Sequence, residues 1–229
     1  MIGIFDSGRG GQNVLAEVRR LAPLANIAYF ADTLGAPYGT KKKDELILRI
    51  LHDEQILRRA GCERILIGCC TASTLHRALP SDTQQRLFPI VEQTARQAAR
   101  TSPSGRIAVL CTEASRRTEA FSKYIHKYSP ASEVVTVGAQ VYVSLAEENQ
   151  LESGCPAFKK ALADTVRTLQ MHHSDTVVLG CTHFHALGEH LRSQMPSIRI
   201  VSSAKIGAEA FVLALSKEEL SGEGVTAYL

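Results

Sequence analysis

Two cysteines of this chain each follow a short apolar stretch that ends in glycine. Residues 65–71 read Ile-Leu-Ile-Gly-Cys-Cys-Thr, and residues 177–183 read Val-Val-Leu-Gly-Cys-Thr-His. Because such stretches are typical of buried parallel strands, Cys69 and Cys181 should lie at strand carboxyl ends, where open α/β sheets bind ligands. Two thiols that bracket one small molecule can remove a proton from one face of a carbon and return a proton to the other face. The pattern therefore indicates an enzyme that inverts a carbon centre.

The surroundings of the two thiols bear on their reactivity. Each thiol stands between a strand end and a predicted helix start, and a helix N-terminus lowers the pKa of a thiol from about 8.5 towards neutrality. The alternative is that both cysteines are small buried hydrophobic residues, which is common for free cysteine. We favour the functional role because the two segments match each other. A related segment, residues 109–113, lacks the glycine, and there we interpret Thr112 as a ligand hydroxyl and Cys111 as packing.

Two histidines, His183 and His185, follow Cys181 closely. Cysteine and histidine are the usual zinc ligands. However, a Cys-x-x-Cys spacing is absent, and the adjacent Cys69 and Cys70 should point in different directions. We therefore expect no metal, and we interpret His183 as a group that orients Cys181 or donates a proton beside it.

Two loops at the same sheet edge are further candidates. The first strand runs into the glycine-rich turn Asp6–Gly11, whose backbone can approach a ligand and whose following helix start offers N–H groups to a carboxylate. The dinucleotide fingerprint does not fit, because Asn13 occupies the position of its third glycine. The alternative is a tight turn in which Asp6 or Ser7 caps the helix. The second loop holds a tyrosine stiffly between proline and glycine, at residues 37–39.

The composition excludes several classes of function. The net charge is +3, from 26 Lys and Arg against 23 Asp and Glu, which is too small to indicate nucleic acid or an anionic membrane as a partner. No apolar stretch is long enough to span a bilayer, and the N-terminal segment lacks the basic flank of a signal peptide. We therefore expect a cytoplasmic protein whose six cysteines are free thiols.

Strand and helix patterns alternate along the chain, which predicts an α/β fold of mainly parallel sheets flanked by helices. The predicted strands are Ile2–Phe5, Ile27–Ala31, Arg64–Gly68, Arg106–Leu110, Glu133–Val137, Thr176–Gly180 and Ile198–Val201. The predicted helices are Gln12–Leu21, Asp44–Ala60, Glu92–Ala99, Glu113–Lys127, Ala157–Gln170, Leu187–Gln194 and Ala204–Ser216. A turn cluster at residues 101–105 marks a domain seam nearby. We expect two α/β domains, one formed by residues 1–93 plus 204–229 and the other by residues 94–203.

Taken together, these motifs give the chain a family resemblance. It resembles the cofactor-independent glutamate racemases of the aspartate/glutamate racemase superfamily. The matching segments, which occur in the expected order in both predicted domains, are residues 3–11, 29–33, 37–40, 69–73, 112–115 and 180–183. The resemblance implies two similar domains related by a pseudo-twofold axis, with the active site between them. It also implies that the enzyme binds a small acidic amino acid and interconverts L- and D-glutamate without a cofactor. The D-glutamate would supply peptidoglycan synthesis, and the enzyme can form a homodimer.

The resemblance also implies roles for individual residues. Cys69 and Cys181 would act as opposed base and acid, with Asp6 assisting one thiol and His183 the other. The residues implied in substrate binding are Ser7, Tyr38, Gly39, Cys70, Thr71, Thr112, Glu147 and Thr182. Because neither pyridoxal nor a metal accepts the charge of the carbanion, preorganised donors and exclusion of water must stabilise it. The charge of Asp6 opposes a nearby thiolate, which predicts coupled titrations.

The chain also departs from the family pattern. Cys70 stands where the family usually has asparagine, so a thiol, a weak donor, replaces an amide. Arg9 replaces a small apolar residue, Cys111 a small residue, and His185 and Gln93 each a proline. Besides glutamate racemisation, two hypotheses therefore stay open: a racemase of aspartate or another acidic amino acid, and an amino-acid-binding homologue without turnover. A Cys/His thiol hydrolase would leave the second thiol unexplained.

Overall fold

The computed structural model describes residues 1–151 and 155–229, and this part of the chain contains nine strands and twelve α-helices. The strands are β1 (Ile2–Asp6), β2 (Ile27–Ala31), β3 (Ile65–Ile67), β4 (Leu87–Pro89), β5 (Arg106–Cys111), β6 (Glu133–Gly138), β7 (Thr176–Gly180), β8 (Arg199–Ser202) and β9 (Thr226–Tyr228). The helices are α1 (Gly11–Leu21), α2 (Lys43–Arg59), α3 (Cys70–Ser73), α4 (Ser81–Arg86), α5 (Ile90–Thr101), α6 (Glu113–Thr118), α7 (Ala120–Tyr128), α8 (Gln140–Glu147), α9 (Pro156–Met171), α10 (Leu187–Gln194), α11 (Ser203–Leu213) and α12 (Lys217–Leu220).

The strands form two parallel sheets that share one internal order. The first sheet runs β4-β3-β1-β2-β9 and the second runs β6-β5-β7-β8. In each sheet the strand that comes first along the chain lies between the second and the third, and the fourth lies beyond the third. The strand order reverses between the first and third strands, and ligands bind in the crevice that opens at their carboxyl ends. This switch point lies between β1 and β3 in the first sheet and between β5 and β7 in the second.

Helices α1, α5, α7 and α11 pack into one core that both sheets share. One buried apolar cluster contains Ile4 of β1, Val109 of β5, Val14 of α1, Ile90 of α5 and Phe211 of α11. On the far side of the first sheet the core is completed by α2, and on the far side of the second sheet by α8, α9 and α10. The α/β class with two helix-flanked parallel sheets, predicted from the alternating pattern, is therefore confirmed.

All seven predicted strands are present, and their ends agree with the prediction to within one residue. Two strands were not predicted, and both have only three residues. β4 is an edge strand that ends in Pro89, and proline lowers the strand signal although an edge tolerates it. β9 lies in the C-terminal tail, for which we predicted no element, and it pairs with β2.

The helix predictions contain one error and two omissions that affect the site. The first omission is α3, which carries Cys70 and Thr71 and was expected only as a helix start without a range. The single helix predicted over Glu113–Lys127 is wrong, because Glu119 adopts a left-handed conformation with φ of 56° and separates α6 from α7. Helix α8 was not predicted, since its β-branched and aromatic residues obscure the helical pattern. This second omission matters because α8 carries Glu147.

The predicted domain boundaries stay a prediction, and the two sheets divide the chain as follows. Strands up to Pro89, together with β9, build the first sheet, and the strands between Arg106 and Ser202 build the second. Helix α5 crosses the predicted boundary at residue 93, and α11 begins one residue before the predicted return at residue 204. Within the described residues, no helix combines the length and the apolar character that a membrane crossing requires.

Candidate active site

Hydrogen bonds between the two sheets bring their carboxyl ends together. The Thr182 hydroxyl, just after β7, donates to Asp6 Oδ2 at the end of β1 over 3.2 Å. The Thr71 and Thr112 hydroxyls, which follow β3 and β5, lie 3.0 Å apart. The side-chain amide of Asn13 donates to the Thr182 carbonyl over 2.8 Å. Residues from both switch points therefore face a common site.

Cys69 lies at the first switch point, directly after β3, and caps helix α3. Its side chain is buried (5% exposed), and its Sγ lies 3.3 Å from Ser7 Oγ. Burial, reinforced by the charge of Asp6, raises the pKa of the Cys69 thiol to about 12. We predicted a lowered pKa from the helix N-terminus, and this was wrong: α3 has only four residues, so its dipole is too weak to offset desolvation.

Cys181 occupies the matching place after β7 and begins a polar chain. Its Sγ lies 3.6 Å from His183 Nδ1, and His183 Nε2 lies 2.5 Å from Glu147 Oε1. The Cys181 side chain is 8% exposed, and burial raises the pKa of its thiol well above the usual value, although the His183 backbone N–H opposes this. Negative charge on Cys69 and on Asp6 adds to this rise in the pKa of Cys181.

Asp6 connects the surroundings of the two thiols. It is fully buried, its Oδ1 accepts the Gly8 N–H over 2.9 Å, and its Oδ2 accepts the Thr182 hydroxyl. Burial raises the pKa of Asp6, while the charge of His183 and these hydrogen bonds oppose the rise. A carboxyl group with a raised pKa, beside two buried thiols, is suited to exchange protons with them.

The glycine-rich turn lets the backbone pass close to these side chains. A Cβ on Gly10 would lie 2.5 Å from Thr182 Oγ1 and 2.7 Å from His183 Nδ1. A Cβ on Gly11 would lie 2.5 Å from the Tyr29 hydroxyl. Glycine is thus needed here because any side chain would collide with the groups that surround Asp6. Arg9, at the rim, donates to the Glu147 carbonyl over 3.3 Å.

The turn at residues 38–40 contributes backbone rather than the tyrosine hydroxyl. The Tyr38 side chain is 1% exposed, and its hydroxyl lies 2.7 Å from Asp32 Oδ2 and 2.8 Å from Asp53 Oδ2, so it is directed at these carboxyl groups. Gly39 lies against Thr112 and Gln140: a Cβ there would be 3.0 Å from Thr112 Cβ and 2.5 Å from Gln140 Oε1.

Cys70 and Cys111 are packed within the core between the sheets. Cys70 is 2% exposed, and burial raises the pKa of its thiol well above the usual value, with the charge of Cys181 adding to the effect and Ser203 beside it. Burial likewise raises the pKa of the Cys111 thiol to about 12. Packing was predicted for Cys111, whereas the substrate contact predicted for Cys70 would have to come from its backbone at the start of α3.

Several site residues could not be found by inspecting the chain. Glu147 was known only through the family resemblance, since α8 was not predicted. Asn13, Asp53 and Gln140 were not predicted as site residues, although Gln140 Oε1 is buried beside Gly39 and has no hydrogen-bond partner in the described part of the chain. In residues 1–151 and 155–229, no group of three His, Cys, Asp or Glu side chains is arranged to hold a metal ion.

This site and this fold place the chain in a known family. Residues 14–211 match the Asp/Glu/Hydantoin racemase family, and the chain belongs to it. It is therefore an isomerase of the racemase class. A relative with a curated name is the glutamate racemase of Geobacter metallireducens, 35% identical over 215 residues that cover 89% of this chain and 76% of the relative.

Solved structures of glutamate racemases share the fold. The isoform RacE1 from Bacillus anthracis superposes with a TM-score of 0.88 at 23% identity, covering 100% of this chain and 86% of the other. The Escherichia coli glutamate racemase, in complex with L-glutamate and the activator UDP-MurNAc-Ala, gives a TM-score of 0.71 at 25% identity. That match covers 100% of this chain and 98% of the other.

Proposed function

We propose that this chain interconverts L- and D-glutamate without a cofactor, with Cys69 and Cys181 as the two acid/base groups. The observation that carries the proposal is the equivalent position of the two thiols. Each follows the third strand of a sheet with the same strand order, and bonds between the sheets bring the two strand ends to one site. The glutamate racemase of Geobacter metallireducens, at 35% identity, supports glutamate as the substrate.

The geometry supports a route by which a protonated thiol becomes a base. Because burial raises both thiol pKa values, Cys69 and Cys181 are protonated at neutral pH before the substrate binds. His183 Nδ1, 3.6 Å from the Cys181 sulfur, can take that proton, and the Glu147 carboxylate stabilises the resulting imidazolium. Asp6, whose pKa is also raised, is the corresponding acceptor for Cys69.

Racemisation then needs one thiolate and one thiol on opposite faces of the α-carbon. The thiolate removes the α-proton, and the opposite thiol delivers its own proton to the other face. The Ser7 and Thr71 hydroxyls and the backbone at Gly39 and Thr182 are the donors that would hold the substrate carboxylates. Because these donors are buried, they stabilise the developing charge more strongly than water would.

Single substitutions of the two cysteines test this proposal. Cys69→Ala and Cys181→Ala should each abolish racemisation of glutamate, measured by chiral chromatography. In deuterium oxide, wild-type protein should place deuterium in the product enantiomer during the first turnovers, while the remaining substrate keeps its α-proton. Cys62→Ala is the matched control, since Cys62 is an equally buried thiol in the core beneath α2. Full activity in both active-site variants would contradict the proposal.

A substrate panel separates glutamate from the other candidates. Aspartate and other acidic amino acids should be turned over more slowly than glutamate, and faster turnover of aspartate would reassign the substrate. Tight binding without exchange of the α-proton would indicate a binding protein. Growth of a bacterial strain that requires D-glutamate, after expression of this chain, tests the proposed supply of peptidoglycan synthesis.

We further propose a cytoplasmic homodimer of two-domain subunits. The cytoplasm is where free thiols persist, and all six cysteines are unpaired in the structure. Light scattering of the purified protein measures the subunit number, and a monomeric mass at micromolar concentration would contradict the dimer.

A further inference from the structure

A cluster of buried polar groups lies beside the site and is not explained by the proposed reaction. It contains Asp32 after β2, Tyr38 in the following turn and Asp53 on α2. All three are buried, with exposed fractions of 3%, 1% and 0%. The Tyr38 hydroxyl lies within hydrogen-bond distance of one oxygen of each carboxyl group, at 2.7 Å and 2.8 Å.

Counting protons shows that this cluster holds an extra one. A tyrosine hydroxyl has a single hydrogen and can donate to only one of the two carboxyl oxygens. The other short contact therefore requires a proton on a carboxyl group, because two unprotonated acceptors would repel each other. Burial and the neighbouring carboxylates raise the pKa of Tyr38, so the tyrosine itself keeps its hydrogen.

The environment identifies Asp53 as the protonated carboxyl. Asp32 has two donors besides Tyr38: the Gly35 N–H donates to its Oδ1 over 2.9 Å, and the Arg49 guanidinium lies 3.5 Å from its Oδ2. Among the described residues, the Asp53 carboxyl has polar contacts with Tyr38 and with His52, whose ring Nδ1 lies 3.3 Å from Oδ1 and whose side chain is 56% exposed. Burial, together with the charge of Asp32, raises the pKa of Asp53 to about 6.

The cluster fixes the turn that reaches the site. Tyr38 is followed directly by Gly39, which packs against Thr112. Thr112 in turn bonds to Thr71, two residues after Cys69. A shift of the tyrosine would therefore move the Gly39 backbone relative to the thiol.

We propose that Asp53 is a positioning residue of the racemase site. Its protonated carboxyl donates to Tyr38, Tyr38 donates to the Asp32 carboxylate, and this chain of two hydrogen bonds holds the Gly39 backbone in place for the substrate. The effect of Asp53 on substrate binding rests on the proposed function. The proton that Asp53 shares with Tyr38 does not, because it is a property of the folded protein.

Ionisation of Asp53 has a defined sign. Since its folded-state pKa lies above the ordinary value of 3.8, the protonated form stabilises the fold at low pH, and that stabilisation is lost as the pH rises through about 6. Within the described residues, the titratable or charged side chains that contact the two carboxyl groups of the cluster are Tyr38, Arg49 and His52. Asp53→Asn is expected to remove this dependence, because an amide N–H replaces the carboxyl O–H as the donor to Tyr38 at every pH.

Three variants and two controls test the proposal. At about pH 5.5 the KM of Asp53→Asn for glutamate should equal that of the wild type. At about pH 8 the KM of Asp53→Asn should be lower than that of the wild type. At about pH 5.5, where the Asp53 carboxyl is protonated, Asp53→Leu, with a side chain of similar shape and no donor, should raise KM about tenfold and change kcat less. If Asp53→Leu does not fold, Tyr38→Phe, which removes the hydroxyl that joins the two carboxyl groups, replaces it and should raise KM in the same way. The controls are Glu54→Gln, a buried carboxylate on α2 that bonds to Arg86, and Tyr142→Phe, whose hydroxyl lies 2.9 Å from Thr165.

Two readouts do not depend on activity and separate failure of this proposal from failure of the proposed function. The urea midpoint of the wild type, relative to Asp53→Asn, should fall between pH 4 and pH 7. The backbone amide resonance of Gly39 should titrate near pH 6 in the wild type only. If both hold and the wild type does not racemise glutamate, the shared proton stands and the proposed function fails. Absence of both titrations, or an unchanged KM in Asp53→Leu of an active enzyme, would overturn the positioning role.

Discussion

The contact between His183 and Glu147 gives the sharpest quantitative prediction for the catalytic step. In the proposed reaction His183 receives a proton from Cys181 when that thiol acts as a base, and an imidazolium results. Glu147 stabilises this cation through a short contact to Nε2. The substitution Glu147→Gln keeps an oxygen for the hydrogen bond and removes only the negative charge.

The expected loss follows from the exposure of the pair. Hydrogen bonds to charged groups contribute about 1.5–3 kcal/mol in proteins, whereas fully exposed ion pairs contribute less than about 1 kcal/mol. The Glu147 side chain is 39% exposed and the His183 side chain 8%, so an intermediate value of about 1–2 kcal/mol is appropriate. This corresponds to a roughly fivefold to thirtyfold lower kcat/KM.

Comparing kcat/KM for L-glutamate with kcat/KM for D-glutamate gives an internal check of the measurement. L- and D-glutamate have equal free energies in water, so kcat/KM must be equal for the two enantiomers in any variant. Glu147→Gln should therefore lower both values by the same factor, while kcat and KM change separately for each enantiomer. Circular dichroism follows both directions, and Glu148→Gln, at the next position along the chain, is the matched control. A kcat/KM within twofold of wild type would refute the role of Glu147.

Two further predictions concern the glycine-rich turn and Asp6. Gly10→Ala should lower the free energy of unfolding by about 1–3 kcal/mol, measured by urea denaturation, because the new methyl group would meet Thr182 and His183 at 2.5–2.9 Å. Asp6→Asn should lower the pKa of the Cys69 thiol, since it removes a negative charge that raises this pKa; thiolate absorbance at 240 nm would then appear at lower pH, and an unchanged titration would contradict the assignment.

The sequence predicted those parts of the fold and site that depend on local pattern. Apolar stretches bounded by glycine identified the strands, so Cys69 and Cys181 could be placed at strand ends before any contact was known. The same reasoning placed Asp6 and Thr112 at the ends of the neighbouring strands. Because parallel strands align their carboxyl ends, such residues come together whenever the sheets form.

The remainder depends on contacts between residues that are far apart in the chain. No local pattern connects Glu147 with His183, which lies 36 residues later, or Asp53 with the hydroxyl of Tyr38. The thiol pKa was mispredicted for the same reason: a helix start is visible in the sequence, but the burial of Cys69 is decided by the packing of both sheets around it.

The two halves of the site are alike in backbone and different in chemistry. Both thiols follow the third strand of a sheet with one strand order, so a single fold plan would supply the two acid/base groups that we propose. Their partners differ, since Cys69 has the Ser7 hydroxyl and Cys181 has the His183 imidazole. A racemase tolerates this asymmetry because the equal free energies of the enantiomers fix only the overall free energy of the reaction. They do not require the two proton transfers to be alike. Each half could therefore adopt its own means of generating a thiolate, as long as both sulfurs lie on opposite faces of the same carbon.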